Sequence, residues 1–378
     1  MFYTYRYFIT FSILPFYYIL LKLQIFYILT FYLQVQKNYF MHAIKGQGRL
    51  FLYFFILLFS FRSANAQNYV LDKKIPVPGD GGYDYVALDQ LNNHLFVSHG
   101  TAFNVIDIAT EKPIAVIEGM KGVHGIAIVN EVDKGFISDG RANAVVVVDL
   151  KTFKIIKTIT LPEEDEDGII YDPYSKKVFV FNGDSQSTCV IDINTLELVK
   201  TIKLGGGPEF AVSDRNGLIY NNIEDQNCIK VIDTKTMEVK ATYPLSPCGG
   251  PTGIAYDAAN KRLFTGCRAN KGMSVVDAVS GKVITTLPIG AGVDAVAYDP
   301  VTKLIFCSNG DATTTIIKQE SADSYKVIQT LATQVRAKTM ALDPKTHKIY
   351  LSVAELVPGT RNIVPGTFTV LVYKMEGM

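Results

Sequence analysis

The sequence predicts an all-β fold, a seven-bladed β-propeller of four-stranded antiparallel blades. Three observations predict it. First, a short apolar motif ending in Asp recurs: Gly-Ile-Ala-Tyr-Asp at 253–257, Ala-Val-Ala-Tyr-Asp at 295–299, Gly-Ile-Ile-Tyr-Asp at 168–172, Thr-Met-Ala-Leu-Asp at 339–343 and Tyr-Val-Ala-Leu-Asp at 85–89. Gly-Ile-Ala-Ile-Val at 125–129 and Phe-Ala-Val-Ser-Asp at 210–214 are degenerate copies, which makes seven. Second, the copies start at Asp84, His124, Asp167, Glu209, Thr252, Asp294 and Lys338, at intervals of 40 to 44 residues. A period in that range is the mark of a repeat architecture. Third, each unit alternates apolar and polar residues over four short runs, the period-2 sign of half-buried strands. Four strands per unit, repeated radially, is a propeller.

Taken from the amino terminus, residues 1–66 hold six basic residues and no Asp or Glu. Residues 41–66 read as a signal peptide: Lys45 and Arg49 form a basic segment, Leu50 to Phe59 an apolar one, and Ala64-Asn65-Ala66 a small-x-small cleavage site before Gln67. Ten apolar residues are short for a bilayer span, so no stable membrane insertion is expected after cleavage. Residues 1–40 are either an upstream extension, with translation starting at Met41, or a hydrophobic segment around Phe8–Leu33 interrupted by Pro15 and Lys22. The propeller is assigned to 67–378, and the expected location is periplasmic or secreted.

Without residues 1–66 the chain keeps 31 of its 37 basic residues against 36 acids, a formal charge of −5. Bulk electrostatics therefore gives no support to nucleic-acid binding. The expected partner is a small molecule or a protein, and the expected state a monomer.

Within each unit, polar turns join the first two strands, as at Asn92-Asn93, Asn216-Gly217, Asp299-Pro300 and Asp343-Pro344. The third strand ends in Asp in five units: Asp107, Asp149, Asp192, Asp233 and Asp277. That Asp is expected to cap the turn into strand four, and unit six lacks it at Ile316-Ile317-Lys318. The fourth strands carry Lys and Thr on an exposed face, as outer edges should. Unit seven has three strands, ending with Thr367–Tyr373. Tyr69 to Val77 precedes unit one and is expected to close the ring as its fourth.

Val-Ile-Asp-Thr-Lys-Thr-Met-Glu-Val at 231–239, with Pro-Thr-Gly-Ile-Ala-Tyr-Asp at 251–257, resembles the YVTN β-propeller repeat of YncE-like exported bacterial proteins. The resemblance covers residues 69–378. It implies a periplasmic or surface propeller and no particular reaction.

Several chemistries are excluded or weakened. The chain has no Cys-x-x-Cys-His, zinc-ribbon pair, Gly-x-Ser-x-Gly, His-Glu-x-x-His or Walker A motif. It has no Trp, which argues against the quinone-dependent propeller dehydrogenases. After residue 66 only His94, His99, His124 and His347 remain, too few for a copper cluster. His94 and His347 fall in equivalent first turns and are expected to be solvated. Cys248 and Cys267 end neighbouring antiparallel strands, placed to form a disulfide or to remain two thiols. Cys189, Cys228 and Cys307 read as buried apolar residues.

The candidate site follows from alignment of the units. The innermost strands open with Asp84, His124, Asp167, Glu209, Thr252, Asp294 and Lys338. Fifteen residues later, six units end strand two at His99, Asp139, Asn182, Cys267, Asn309 and Val353. A constant offset across a hairpin makes the two columns neighbours, with Arg268, Arg336 and Glu355 close by. Polar residues converging at a channel mouth form either a hydrated rim or a ligand site. By this offset Asp84 faces His99, and His124 faces Asp139. The four are either two Asp–His hydrogen bonds or the donor set of a divalent-metal site, the one cofactor the sequence suggests. Three functions remain: a non-enzymatic exported propeller that binds a ligand at the mouth, a metal-dependent hydrolase or lactonase-like enzyme, and a protein-interaction platform.

Overall fold

The computed structural model describes residues 27–33, 68–80 and 82–377. The chain divides into two units, Met1–Ala66 and Gln67–Met378. The assigned signal peptide, 41–66, lies outside the described residues. In the first unit residues 27–33 are helical and exposed. Among the described residues no helix is long and apolar enough to cross a membrane.

The second unit is seven antiparallel sheets of four strands, each in sequence order from the axis outward except the last. Blade two is typical: Val123–Val129, Lys134–Asp139, Ala144–Asp149 and Ile155–Thr160. Blade seven is built from Met340–Asp343, Lys348–Val353, Thr369–Met375 and, as its outer strand, Tyr69–Pro76. The expected ring closure is present: Tyr69 pairs with Met375 and Pro76 with Thr369.

The core lies between blades. Seven buried clusters are seen among the described residues, one at each blade–blade interface. Phe136 and Val145 of blade two, for example, pack against Val178 and Val180 of blade three. Second and third strands are buried on both faces, so they read as near-continuous apolar runs such as Ala-Val-Val-Val-Val. Outer strands such as Ile155–Thr160 stay mostly exposed, which suits their Lys and Thr.

The third-strand Asp residues cap turns as expected. Asp149 accepts from the backbone N–H of Lys151 and Thr152, and Asp233 from Lys235 and Thr236. In blade six, without that Asp, strands three and four run on as a long hairpin, Asp311–Ser321 and Ser324–Val335. Cys248 and Cys267 form a disulfide, and the other three cysteines are buried and free. The two histidines of the first turns are half-buried rather than freely solvated. His347 Nδ1 is 2.6 Å from Asp299 of the neighbouring blade, and His94 packs edge-on against Phe153. Burial at the blade interfaces reaches these turns, which sequence alone cannot show.

Candidate functional site

In blades two to six a β-bulge places the first polar residue of the innermost strand. Across blades two to six the residue before it pairs with the end of strand two: Val123 with Asp139, Glu166 with Asn182, Pro208 with Ile223, Pro251 with Cys267 and Val293 with Asn309. The register then shifts, so His124, Asp167, Glu209, Thr252 and Asp294 fall out of the ladder. A bulge re-aims a side chain. Here the first column contacts neighbouring blades around the axis instead of its own strand two.

The two columns therefore separate. His124 Nδ1 lies 2.9 Å from Asp84 Oδ2 and 3.4 Å from Asp167 Oδ1, so the imidazole of blade two bridges blades one and three. Asp294 carries two cations: Arg268 at 2.5 Å and Lys338. Arg268 also reaches Glu224 at 2.8 Å. Thr252 turns away and donates its hydroxyl to the Val293 carbonyl.

The second column serves its own blades. Asp139 does not face His124; it accepts hydrogen bonds from the backbone N–H of Lys121 and Gly122. His99 does not face Asp84; it stacks on Phe368, with Gly79 against its ring edge. Asn182 donates to Ser187 and Asn309 to Thr313 and Thr315, all on third strands. Cys267 is in the disulfide. The four-residue set Asp84, His99, His124 and Asp139 is thus not assembled: in blade two the bulge shifts the offset by one residue, and in blade one His99 is taken up by Phe368 and Gly79. Arg336 has a left-handed backbone (φ +66°), donates its N–H to Gly310 and accepts at its carbonyl from Tyr83. Glu355 is exposed on the loop before Phe368.

Sequence reasoning missed a column of hydroxyls one residue before the second column. Ser138 donates to the Asp167 carbonyl at 2.6 Å, and Ser308 to that of Lys338. Ser352 and Thr339 both donate to the Asp84 carbonyl. Each fixes the backbone of a mouth residue on the next blade. The recurring Ser of Val-Ser-His, Ile-Ser-Asp, Cys-Ser-Asn and Leu-Ser-Val was the available signal.

It also missed the floor. Tyr85 of blade one and Phe210 of blade four meet at 4.5 Å between ring centroids. Phe210 also packs against the cluster of blades six and seven that contains Ala295 and Met340. The axis at that level is filled by aromatic rings. The Tyr85 hydroxyl is buried and has no hydrogen-bond partner among the described residues. Burial first, then the charges of Asp167, Asp84, Glu209 and Asp294, hold its pKa well above the usual phenol value. Those carboxylates belong to four blades, which places the hydroxyl centrally beneath them.

The mouth is electrostatically crowded. Burial, then the neighbouring Asp84 charge, raises the pKa of Asp167, with His124 pulling the other way. Burial and Asp167 raise that of Glu209. Burial lowers the pKa of His124, but the Asp84 hydrogen bond and the Asp167 charge outweigh it, and the net shift is upward. Lys338 and Arg268 are likewise disfavoured by burial and held charged by Asp294. Five carboxylates (Asp84, Asp167, Glu209, Glu224, Asp294) face three cationic groups (His124, Arg268, Lys338). Such a mouth favours added positive charge. At the other end of the ring an open cavity of about 700 Å³ is lined by Leu88, Leu91, Ile128, Tyr298 and Leu342 together with Gln90, Asn130 and Lys345.

No family model matches the sequence, and no curated protein does. Solved structures share the ring. A chain of Kuenenia stuttgartiensis hydrazine synthase has a TM-score of 0.65 at 16% identity, over 80% of this chain and 98% of that one. The WD40 repeats of RRP9 give 0.69 at 9%, covering 80% and 97%, and U3-55K gives 0.68 at 9%, covering 82% and 99%. At such identities the likeness is one of fold. The chain shares with them the β-propeller architecture, here with seven blades.

Proposed function

We propose that this is an exported, monomeric propeller of the YVTN-repeat kind that binds a small cationic ligand at the channel mouth. The carrying observation is the ring of bulged inner-strand residues, with more carboxylates than cations, above the Tyr85–Phe210 floor. A concave, rigid, partly buried cluster of this type is where small ligands bind. Glu209 is the acidic group left for the ligand, since it makes no ion pair among the described residues, whereas Asp84 and Asp167 flank His124 and Asp294 holds Arg268 and Lys338. With its pKa raised to about 9, a bound cation would take the place of its proton. Export is supported by the leader at 41–66 and by the Cys248–Cys267 disulfide, which is at home in an oxidising compartment. The YVTN reading is supported by the repeat sequence and by the Asp-capped turns.

A thermal-shift panel in EDTA tests the binding reading. Small amines, guanidinium and quaternary ammonium compounds are compared with small anions. A ligand that binds only the folded state raises the melting temperature with its concentration. The expected outcome is a saturable rise with at least one organic cation, lost in Glu209→Gln. No response across the cations, or a response independent of Glu209, refutes it.

A further inference from the structure

The structure points to a second, chemically distinct occupant of the mouth, a metal ion. We propose that Asp84, His124 and Asp167 form a binding site for a divalent first-row cation of the manganese or zinc type. The proposal rests on the reading of the mouth as a cation site, but it uses the sector of blades one to three, not Glu209.

The geometry carries it. One oxygen of each carboxylate and one ring nitrogen of His124 all lie within 4.8 Å of one another. The two nitrogen–oxygen separations are 2.9 and 3.4 Å. With metal–ligand bonds of about 2.1 Å, neighbouring donors stand about 3.0 Å apart in an octahedron and about 3.4 Å in a tetrahedron. Both separations lie within about 0.5 Å of such edges in either geometry, so the three side chains can close round one ion with small adjustments. On binding, the ion would take the place of the proton shared around Nδ1, and that proton would leave to solvent.

Two further observations point the same way. Apart from its 3.4 Å ion pair with His124, Asp167 Oδ1 is buried and has no hydrogen-bond partner among the described residues. The Tyr85 hydroxyl beneath it is in the same condition. Buried polar atoms left unpaired are costly, and a bound ion with its water would satisfy both. The backbones of the two carboxylate ligands are also fixed. The Asp84 N–H donates to Ser98, its carbonyl accepts from Thr339, and the Asp167 carbonyl accepts from Ser138. Fixing first ligands through a supporting shell is what holds a metal site in shape. The donor set of two carboxylates and one imidazole suits manganese or zinc, with remaining positions open to water from the mouth.

The molecule contains its own control. His347 and Asp299 form an ordinary Asp–His pair at the other end of the ring, at 2.6 Å. The test is calorimetric titration of manganese and zinc chloride into protein stripped with EDTA and dialysed. One saturable site is expected. Asp84→Asn, Asp167→Asn and His124→Ala should each weaken it at least tenfold, and His347→Ala should leave it unchanged. In wild-type protein manganese should selectively broaden the ring-proton resonance of one histidine, identified as His124 by its absence in His124→Gln. That readout stands even if a variant folds poorly. No saturable site, binding that survives Asp167→Asn, or broadening of His347 instead would overturn the proposal. Because the organic-cation panel is run in EDTA, either reading can fail while the other stands.

Discussion

Glu166 sits in an environment at odds with its chemistry. It is fully buried, and neither carboxylate oxygen has a hydrogen-bond partner of good geometry among the described residues. Burial lifts its pKa from 4.5 to about 7, opposed by its own backbone N–H and, more weakly, that of Ala144, and reinforced by the charges of Asp165 and Asp139. The folded state therefore holds a proton that the unfolded chain releases near pH 4.5. Its contribution to stability is fully present below that pH and is lost as pH rises through about 7. Glu166→Gln keeps the shape and removes the charge. The variant should match wild type near pH 4.5 and exceed it at pH 8 by on the order of 1–3 kcal/mol. Urea midpoints across this range check it, and parallel pH curves for the two proteins would count against it. Nothing in the local sequence Asp-Glu-Asp marks this residue as buried; it becomes so only because the bulge pairs Glu166 with Asn182 inside the blade.

That bulge is the element that decides the site, and it shows where sequence reading stopped. Strand count, the 40–44-residue spacing and the capping Asp residues were legible because each follows from local periodicity and turn chemistry. The seven mouth residues were legible as a column for the same reason. Their partners were not, since a single extra residue in the inner strand moves every cross-strand assignment by one. His99 and Asp139 were thus assigned to a site they do not enter, and Asp167 was left out of the triad it completes. The bulge also brings inner strands into backbone contact. A Cβ on Gly253 would stand 2.5 Å from Val296 N and 2.6 Å from the Asp294 carbonyl oxygen, both backbone atoms of the next blade. Neither can yield as a side chain would. Gly253→Ala should therefore destabilise by more than about 2 kcal/mol, because one inner strand must shift. It should also loosen the Arg268–Asp294 contact next to it. Thermal unfolding checks the first effect. A midpoint within a degree of wild type would mean that the blades slide apart freely.

At the scale of the whole molecule, seven interface cores form a closed cycle, and one strand from the amino-terminal side completes it. Tyr69–Pro76 does more than add an edge. Tyr69 belongs to the core between blades six and seven, and Ile75 and Val77 to the core between blades seven and one. Gln329 of blade six exchanges two hydrogen bonds with the Tyr69 backbone, and the Tyr69 hydroxyl donates to the His347 carbonyl. Asp72 pairs with Lys348 and Lys374, and Lys73 with Glu111 of blade one. Removing residues 67–78 would open two cores at once and leave Thr369–Met375 as an unpaired apolar edge, a template for aggregation. In a ring each blade needs both neighbours, so the loss cannot stay local as it would at the end of an open solenoid. The deletion variant should lose cooperative unfolding in calorimetry and associate in solution. A synthetic peptide of residues 67–78 should restore a single transition. A monomeric deletion variant that unfolds at the wild-type midpoint would show that the ring is held by its other five interfaces alone.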